Sequence, residues 1–311
     1  MTVLALALVL LASPAFAAKL LVPVGQAVGL ELSGGGITVV EAEAGSPGGK
    51  AGLLPGDVIS EVNGSPVATP EALQKALSGE GGAVALTVRR GKDTLSLSAE
   101  PAGTPRRLGI TVRKGMAGIG TITYYDPATG CFGALGHGVS DPAGTLLPLE
   151  SGTVLRARVA EVEKGRIGTP GRLSGSFAPA GVLGELSKNT PCGVFGRSKT
   201  GWPGLALPVA EPEEVQVGPA TILSNVSGTE VQEYSVEILK IYPGDRACGR
   251  NLLLHVTDPR LLEVTGGIVQ GQSGSPIVQN GRFVGAVTHV LVNDPTMGYG
   301  IFLETMLDAA A

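Results

Sequence analysis

No stripe of basic residues runs along this chain. Its 311 residues carry 23 Lys and Arg against 27 Asp and Glu, a formal net charge of −4, so the electrostatic footprint of a nucleic-acid binder is missing. Cysteine is scarce as well. Cys131, Cys192 and Cys248 form no CxxC pair, and together with His137, His255 and His289 they give no zinc-ligand spacing. There is no phosphate-cradling GxxxxGK[ST] loop and no HExxH helix. Neither a metal nor a cofactor is expected. Aromatic residues make up only 4% of the chain and charged residues 16%.

What is abundant is glycine, with 48 residues, and proline, with 22. An interior glycine costs a helix about 1 kcal/mol, which argues against a helical bundle. The combined fraction is high but short of the level that marks disorder, and 43% of the residues are hydrophobic, enough to build cores. Many short strands joined by tight turns fit this composition. The length allows two domains.

Residues 1–18 contain no charged side chain, and the first charge is Lys19. The stretch Val3 to Leu11 is apolar, and Ala15-Phe16-Ala17 has the small-x-small form of a signal-peptidase site. The run falls short of the roughly 20 residues a spanning helix needs. It is expected to be a signal peptide, with an uncleaved anchor as the alternative. Either places the protein outside the cytoplasm, near a membrane, where disulfides can form. Which of Cys131, Cys192 and Cys248 pair is not legible.

Residues 25–100 form a unit of their own. The stretch Gly52-Leu53-Leu54-Pro55-Gly56-Asp57-Val58-Ile59-Ser60-Glu61-Val62-Asn63-Gly64 passes from a turn into a strand and ends in Asn-Gly, a dipeptide suited to positive φ. Thr69 can cap a helix that starts with Pro70-Glu71, and Leu73, Ala76 and Leu77 share one face of it. Ala83 to Arg89 and Asp93 to Ala99 read as two strands. The unit resembles a PDZ domain of the bacterial protease type, through Ala51-Gly52-Leu53, Gly56-Asp57-Val58-Ile59 and Val62-Asn63-Gly64. The resemblance implies that a peptide C-terminus binds by adding a strand. The loop and strand matching that groove are Val28, Gly29, Leu30, Glu31 and Leu32. Residues 101–105, Pro-Ala-Gly-Thr-Pro, read as a linker.

From 106 to 311 the chain consists of short apolar runs divided by Gly and Pro, which suggests an all-β sandwich or barrel. Helix is hinted at only over Ala180 to Ser187 and in the last ten or so residues. The sharpest segment is Gly271-Gln272-Ser273-Gly274-Ser275-Pro276. It is followed by a hairpin through Asn280-Gly281. A serine nucleophile needs a base and a pair of N–H groups for the oxyanion. Here the donors would be the amides of Gly271 and Ser273. This run resembles the nucleophile segment of chymotrypsin-like serine peptidases, which implies a double β-barrel. Ser275 sits wrongly relative to the two glycines.

For the base, His137 lies in a glycine-flanked loop, Gly136-His137-Gly138. His255 lies in an apolar strand run, and His289 follows the hairpin. The third member should be an acid. Asp126, Asp141 and Asp258 are candidates, each followed by proline and each also readable as a turn residue.

Residues 267–299, the Gly136-His137-Gly138 loop and the preceding PDZ-like unit closely resemble the stage IV sporulation protein B peptidases. That resemblance implies a catalytic triad of His137, Asp258 and Ser273. Asp258 takes the family's aspartate position, 15 residues before the serine. It further implies a secreted endopeptidase that cleaves itself and then a membrane-bound regulator, thereby activating an intramembrane protease and a sigma factor. The location would be the space between forespore and mother-cell membranes. Two other readings compete. One is a catalytically inactive PDZ-type peptide-binding protein. The other is a quality-control protease, which would carry its PDZ domain after the protease domain.

Overall fold

The computed structural model describes residues 19–311 apart from 80, 142–143, 244–247 and 249. The apolar stretch at 1–18 lies outside the described residues. From the N-terminal side, β1 (Leu20–Pro23) leads into β2 (Ala27–Ala42), a strand of 16 residues. There follow α1 (Pro47–Lys50), β3 (Val58–Val62), β4 (Ser65–Pro66), α2 (Pro70–Leu77), β5 (Val84–Arg90) and β6 (Asp93–Ala99). A second 16-residue strand, β7 (Ile110–Tyr125), returns antiparallel to β2 along its whole length, from Ala42↔Ile110 to Ala27↔Thr121.

Next come β8 (Cys131–Ala134), β9 (Ser151–Glu163), β10 (Arg172–Thr190), β11 (Gly193–Ser198) and β12 (Leu207–Pro208). The last section holds β13 (Gly218–Ser227), β14 (Glu230–Ile241), β15 (Leu252–Val256), α3 (Pro259–Thr265), β16 (Pro276–Gln279), β17 (Arg282–Leu291), β18 (Asp294–Phe302) and α4 (Leu303–Ala310). The stretch Ala180 to Ser187, expected as helix, lies inside strand β10. There it pairs with β9 and β11, and long-range pairing overrides the local helix preference.

Two barrels result. In the first, β7, β8, β11, β10, β9 and β2 pair in that order, and the β2–β7 ladder closes the ring. In the second, β13, β14, β15, β18, β17 and β16 form a closed six-stranded barrel. The architecture is mainly β, a small PDZ-type unit combined with a double barrel. In each ring the last strand pairs back to the first.

The PDZ-type unit is built on the outer half of the long strands. Ile37 and Val39 of β2, Ile59 and Val62 of β3, Leu73 and Leu77 of α2, and Leu86 and Val88 of β5 form its core. Helix α2 forms as its sequence dictates. Thr69 caps it by accepting from the Ala72 amide at 3.1 Å, and Pro70 occupies the first turn. Burying each of its two leucines contributes roughly 1.5–3 kcal/mol. Asp57 is buried and fixes the preceding corner. It accepts from the Leu54 amide at 2.9 Å and from both arms of the Arg90 guanidinium at 2.7 Å.

The inner half of β2 belongs elsewhere. Val28, Leu30 and Leu32 pack into the first barrel with Ile122, Phe132, Val154 and Val194. The core of the PDZ-type unit therefore begins at Ile37, and β2 and β7 run unbroken through both units.

Candidate active site

Ser273 and His137 come from different barrels and meet in one cavity of about 510 Å³, which Thr288 and His289 also line. Ser273 sits in the turn between α3 and β16, and its Oγ donates to the Thr288 carbonyl at 2.7 Å. Ser275, two residues on, is fully buried and donates to Ser224 Oγ inside the second barrel, so it is a core residue. Gln272 is likewise buried, bonded to the Val269 amide and to Ser224.

Gly271 and Ser273 of this turn both line the cavity. Neither the Gly271 nor the Ser273 N–H donates to a protein acceptor among the described residues. Each belongs to a planar peptide whose carbonyl is engaged on the opposite side. Gln270 O accepts from Leu173 N at 2.8 Å, and Gln272 O accepts from Ser275 N at 2.9 Å. Two N–H groups without a protein acceptor thus stand beside the serine hydroxyl, the kind of donor an oxyanion needs.

Thr121 of β7 ties this turn to the first barrel. Its Oγ1 donates to Gly271 O at 2.7 Å, its amide donates to Ser273 O at 3.2 Å, and its carbonyl accepts from Leu135 N at 3.2 Å. One buried threonine thus anchors both the serine turn and the loop that carries His137. Gly274 shows how tight the contact is. At φ +98° its missing Cβ would lie 2.2 Å from Thr121 O and 2.6 Å from Leu135 N.

His137 follows two consecutive left-handed residues, Leu135 at φ 70° and Gly136 at φ 69°. A left-handed leucine is costly and persists only where its surroundings hold it. The loop is fixed beyond the histidine by Gly138 N donating to Pro191 O at 3.2 Å and by Asn189, whose side chain bonds both backbone groups of Val139. Next to Pro191, Cys192 is disulfide-bonded to Cys248, while Cys131 is free. Nδ1 of His137 lies 2.9 Å from Gly138 O. A carbonyl only accepts, so Nδ1 carries the proton and the Nε2 lone pair is left to act as a base. Burial pushes the imidazole below its usual range, and the Gly138 carbonyl pulls it partly back.

Residues 104–307 match the family described as SpoIVB peptidase S55, and residues 38–90 match the PDZ domain. The chain belongs to the SpoIVB peptidase family. Over 76 residues it is 36% identical to HhoB of Synechocystis sp., named as a serine protease. That stretch is 24% of this chain and 18% of that protein, so most of the relative's length has no counterpart in the match. A crystal structure of the Rv3671c protease in an inactive form is 14% identical, with a TM-score of 0.36, covering 62% of this chain and 82% of that one. The active form from M. tuberculosis is 16% identical, with a TM-score of 0.34, covering 64% and 72%.

Within this SpoIVB-family chain the structure does not bring Asp258 to His137. Asp258 caps helix α3, accepting from the Arg260 amide at 2.9 Å and the Ser235 amide at 3.2 Å. Its two oxygens also take the Arg260 guanidinium at 3.1 and 2.8 Å. These bonds hold its carboxyl well below the usual carboxylate range, with Arg260 as the main cause. The Asp-Pro sequence has done what it does locally, starting a helix with Pro at the first position.

Neither of the other two aspartates lines the cavity of Ser273. Asp126 accepts from Ala128 N, and Asp141 accepts from Thr145 N on the wall of a second cavity. Among the described residues no carboxylate lines the cavity of Ser273, whose only titratable wall groups are His137 and His289. His255 is a strand residue of β15 facing Glu237 and Met297 across the ladder.

The peptide groove also moves. Val28 to Leu32 cannot accept an added strand, because they pair with β7 on one edge and with β9 on the other. Strand addition needs an edge with unpaired backbone groups. Such an edge lies on β7. Residues 110–114 pair with β2 on one side only, and β1 and β8 reach β7 only from Ile122 onward. A groove of about 500 Å³ runs there between the Leu108-Gly109-Ile110 turn and helix α2, with Leu73, Gln74 and Leu77 on its far wall. The turn stands three residues past the end of the 101–105 stretch, outside the Gly-Asp signature that marked the unit.

Thr121, Thr288 and Gly138 O act through backbone atoms or a lone hydroxyl and carry no motif. The one sequence signal is a threonine at an inward position of a barrel strand, a polar group that must find a partner.

Proposed function

We propose that this protein is a serine endopeptidase that uses Ser273 and His137, with Gly138 O taking the orienting place that a carboxylate fills elsewhere. The observation that carries it is the meeting of Ser273, His137 with Nδ1 held by Gly138 O, and residues Gly271 and Ser273, whose amides have no protein acceptor, in one cavity. In the resting state the Ser273 hydroxyl is turned to Thr288 O. A bound peptide carbonyl draws it toward His137, as catalytic hydrogen bonds tighten on substrate binding. The hydroxyl oxygen attacks, its proton passes to Nε2, and the two amides take the oxyanion. The imidazolium then protonates the leaving amine, and water repeats the sequence on the acyl group. Gly138 O keeps Nδ1 protonated throughout.

The PDZ unit docks a peptide or protein terminus along β7 beside α2. Family membership and the uncharged apolar stretch at 1–18 support the wider reading. In that reading the protein is exported from the forespore into the intermembrane space and cleaves itself. It then cuts the extracytoplasmic part of a membrane-bound regulator, activating an intramembrane protease and a sporulation sigma factor. The second reading, an inactive peptide-binding protein, is favoured by the resting engagement of Ser273 with Thr288 O rather than with His137.

One experiment separates the two. The full chain and its Ser273→Ala form are exposed to a fluorophosphonate probe and followed for self-cleavage. Labelling and cutting by the wild type alone support the peptidase. A folded wild type that neither labels nor cuts leaves the peptide-binding reading.

A further inference from the structure

Met116 of β7 faces two cavities at once. One is the cavity of Ser273. The other, of about 530 Å³, lies between the outer face of the PDZ-type unit and the loop that continues from His137. That loop forms a wall of both, through Val139 and Ser140 in the first and through Leu146, Leu147 and Pro148 in the second. Met116 is thus a wall that the two cavities share.

This second cavity has an apolar floor of Met116, Leu146, Leu147 and Pro148 and carries three cations, Arg89, Lys92 and Arg113. None of the three is in an ion pair among the described residues. The ion pairs among the described residues use Lys19, Arg90, Arg172, Lys199, Arg260 and Arg282. Arg113 donates only to the thioether of Met116 and Arg89 only to the Gly34 carbonyl. Asp141 is the single acidic group on the wall, and its Oδ1 takes the Thr145 amide. In a chain with an overall excess of acid, three such cations around one cleft focus a positive potential into it.

We infer that this cleft is a substrate subsite that takes an acidic segment, with aliphatic neighbours, of the polypeptide being cut, on the side of the scissile bond that passes Met116. The inference deepens the peptidase reading and rests on it for the identity of the occupant. Carboxylates face Arg113, Lys92 and Arg89, and the aliphatic side chains cover the floor. Solvated rim charges contribute modestly each, so selectivity comes from their sum and falls with ionic strength.

The test uses the full-length Ser273→Ala protein and fluorescein-labelled, C-terminally amidated peptides, so that the PDZ groove finds no carboxylate terminus. One peptide alternates Glu or Asp with Leu, and its twin replaces each acid by Gln or Asn. Anisotropy should show the acidic peptide binding about tenfold more tightly than its twin at low salt, with the ratio shrinking as salt rises. In Lys92→Glu/Arg113→Glu the ratio should fall to about one or invert. The neutral pair Lys92→Gln/Arg113→Gln should give an intermediate ratio and guards against misfolding. Wild-type cleavage of the same peptides reads kcat/KM in parallel.

Equal binding of the two peptides, or an acidic preference that survives both double variants, overturns the subsite. So does charge-reversal-sensitive binding seen only with anionic phospholipid vesicles. If the acidic preference holds in the Ser273→Ala protein while the wild type neither cuts nor labels with a fluorophosphonate, the cleft's preference for acidic peptides stands, and the peptidase reading falls together with the cut polypeptide as its occupant.

Discussion

The imidazole rings of His137 and His289 stand 5.3 Å apart, centroid to centroid, tilted by 39°. Both rings line the cavity of Ser273. Burial already holds His137 below its usual range. The acid limb of kcat/KM is therefore expected below about pH 6.5, the ordinary imidazole value. Burial and the Gly138 carbonyl set this limb, so His289→Phe, which keeps the site apolar, should leave it below that value with little change in the plateau. The pH–rate profile of the two proteins checks this. Stability carries the same sign. A neutral buried imidazole loses stability as pH falls below its unfolded value, and the loss levels off below its folded one.

Asp258 separates a structural role from a catalytic one by magnitude. An aspartate that orients a triad histidine costs about 10⁴ in kcat when changed to asparagine. Asparagine is also a good helix cap, so Asp258→Asn should leave kcat/KM within about threefold. Asp258→Ala should lower the unfolding free energy by about 1 kcal/mol through loss of the α3 cap. Because Arg260 holds the carboxyl below its usual range, its stabilisation is present above about pH 4 and fades as pH falls below that. Denaturant curves from pH 3 to 7 read it.

Gly274 faces the Thr121 carbonyl and the Leu135 amide too closely for any side chain. Gly274→Ala has to push the serine turn away from the first barrel. A misplacement of about 1 Å is enough to cost about a hundredfold in rate. The expected result is that loss in kcat with at least about 1 kcal/mol of destabilisation, measured by steady-state kinetics and thermal unfolding.

The Cys192–Cys248 disulfide closes a sequence separation of 56 and lies beside Pro191, the acceptor for Gly138 N. Reduction, or Cys192→Ser, is expected to lower stability by about 2–4 kcal/mol. It should also reduce kcat, because the turn that fixes the His137 loop loses its tether. Cys131→Ser should do neither. Activity and melting temperature with and without a reductant provide the check.

Much of this was legible before any coordinates. The Ser273 turn, the His137 loop, the capped α2 helix and the Asn280-Gly281 hairpin each depend on chemistry confined to a few consecutive residues. What was not legible depends on distant partners. Val28 to Leu32 have the look of a groove strand, but β9, more than a hundred residues later, occupies the edge a ligand would need. Ala180 to Ser187 have good helix formers, yet β9 and β11 hold them extended. Asp258 occupies the family's position, but its neighbours Arg260 and Ser235 take its oxygens first. Thr121 and the Gly138 carbonyl act through positions any sequence could supply.

The continuity of β2 has a consequence for cooperativity. Its inner half is a stave of the first barrel and its outer half is core to the PDZ unit. Removing residues 25–100 would open the barrel between β7 and β9, so the PDZ unit is not an appendage that evolution or an experimenter can trim while keeping the catalytic half. The two units should melt in a single transition. They have to be inherited together, and any event that shifts the register of one long ladder is felt at both ends.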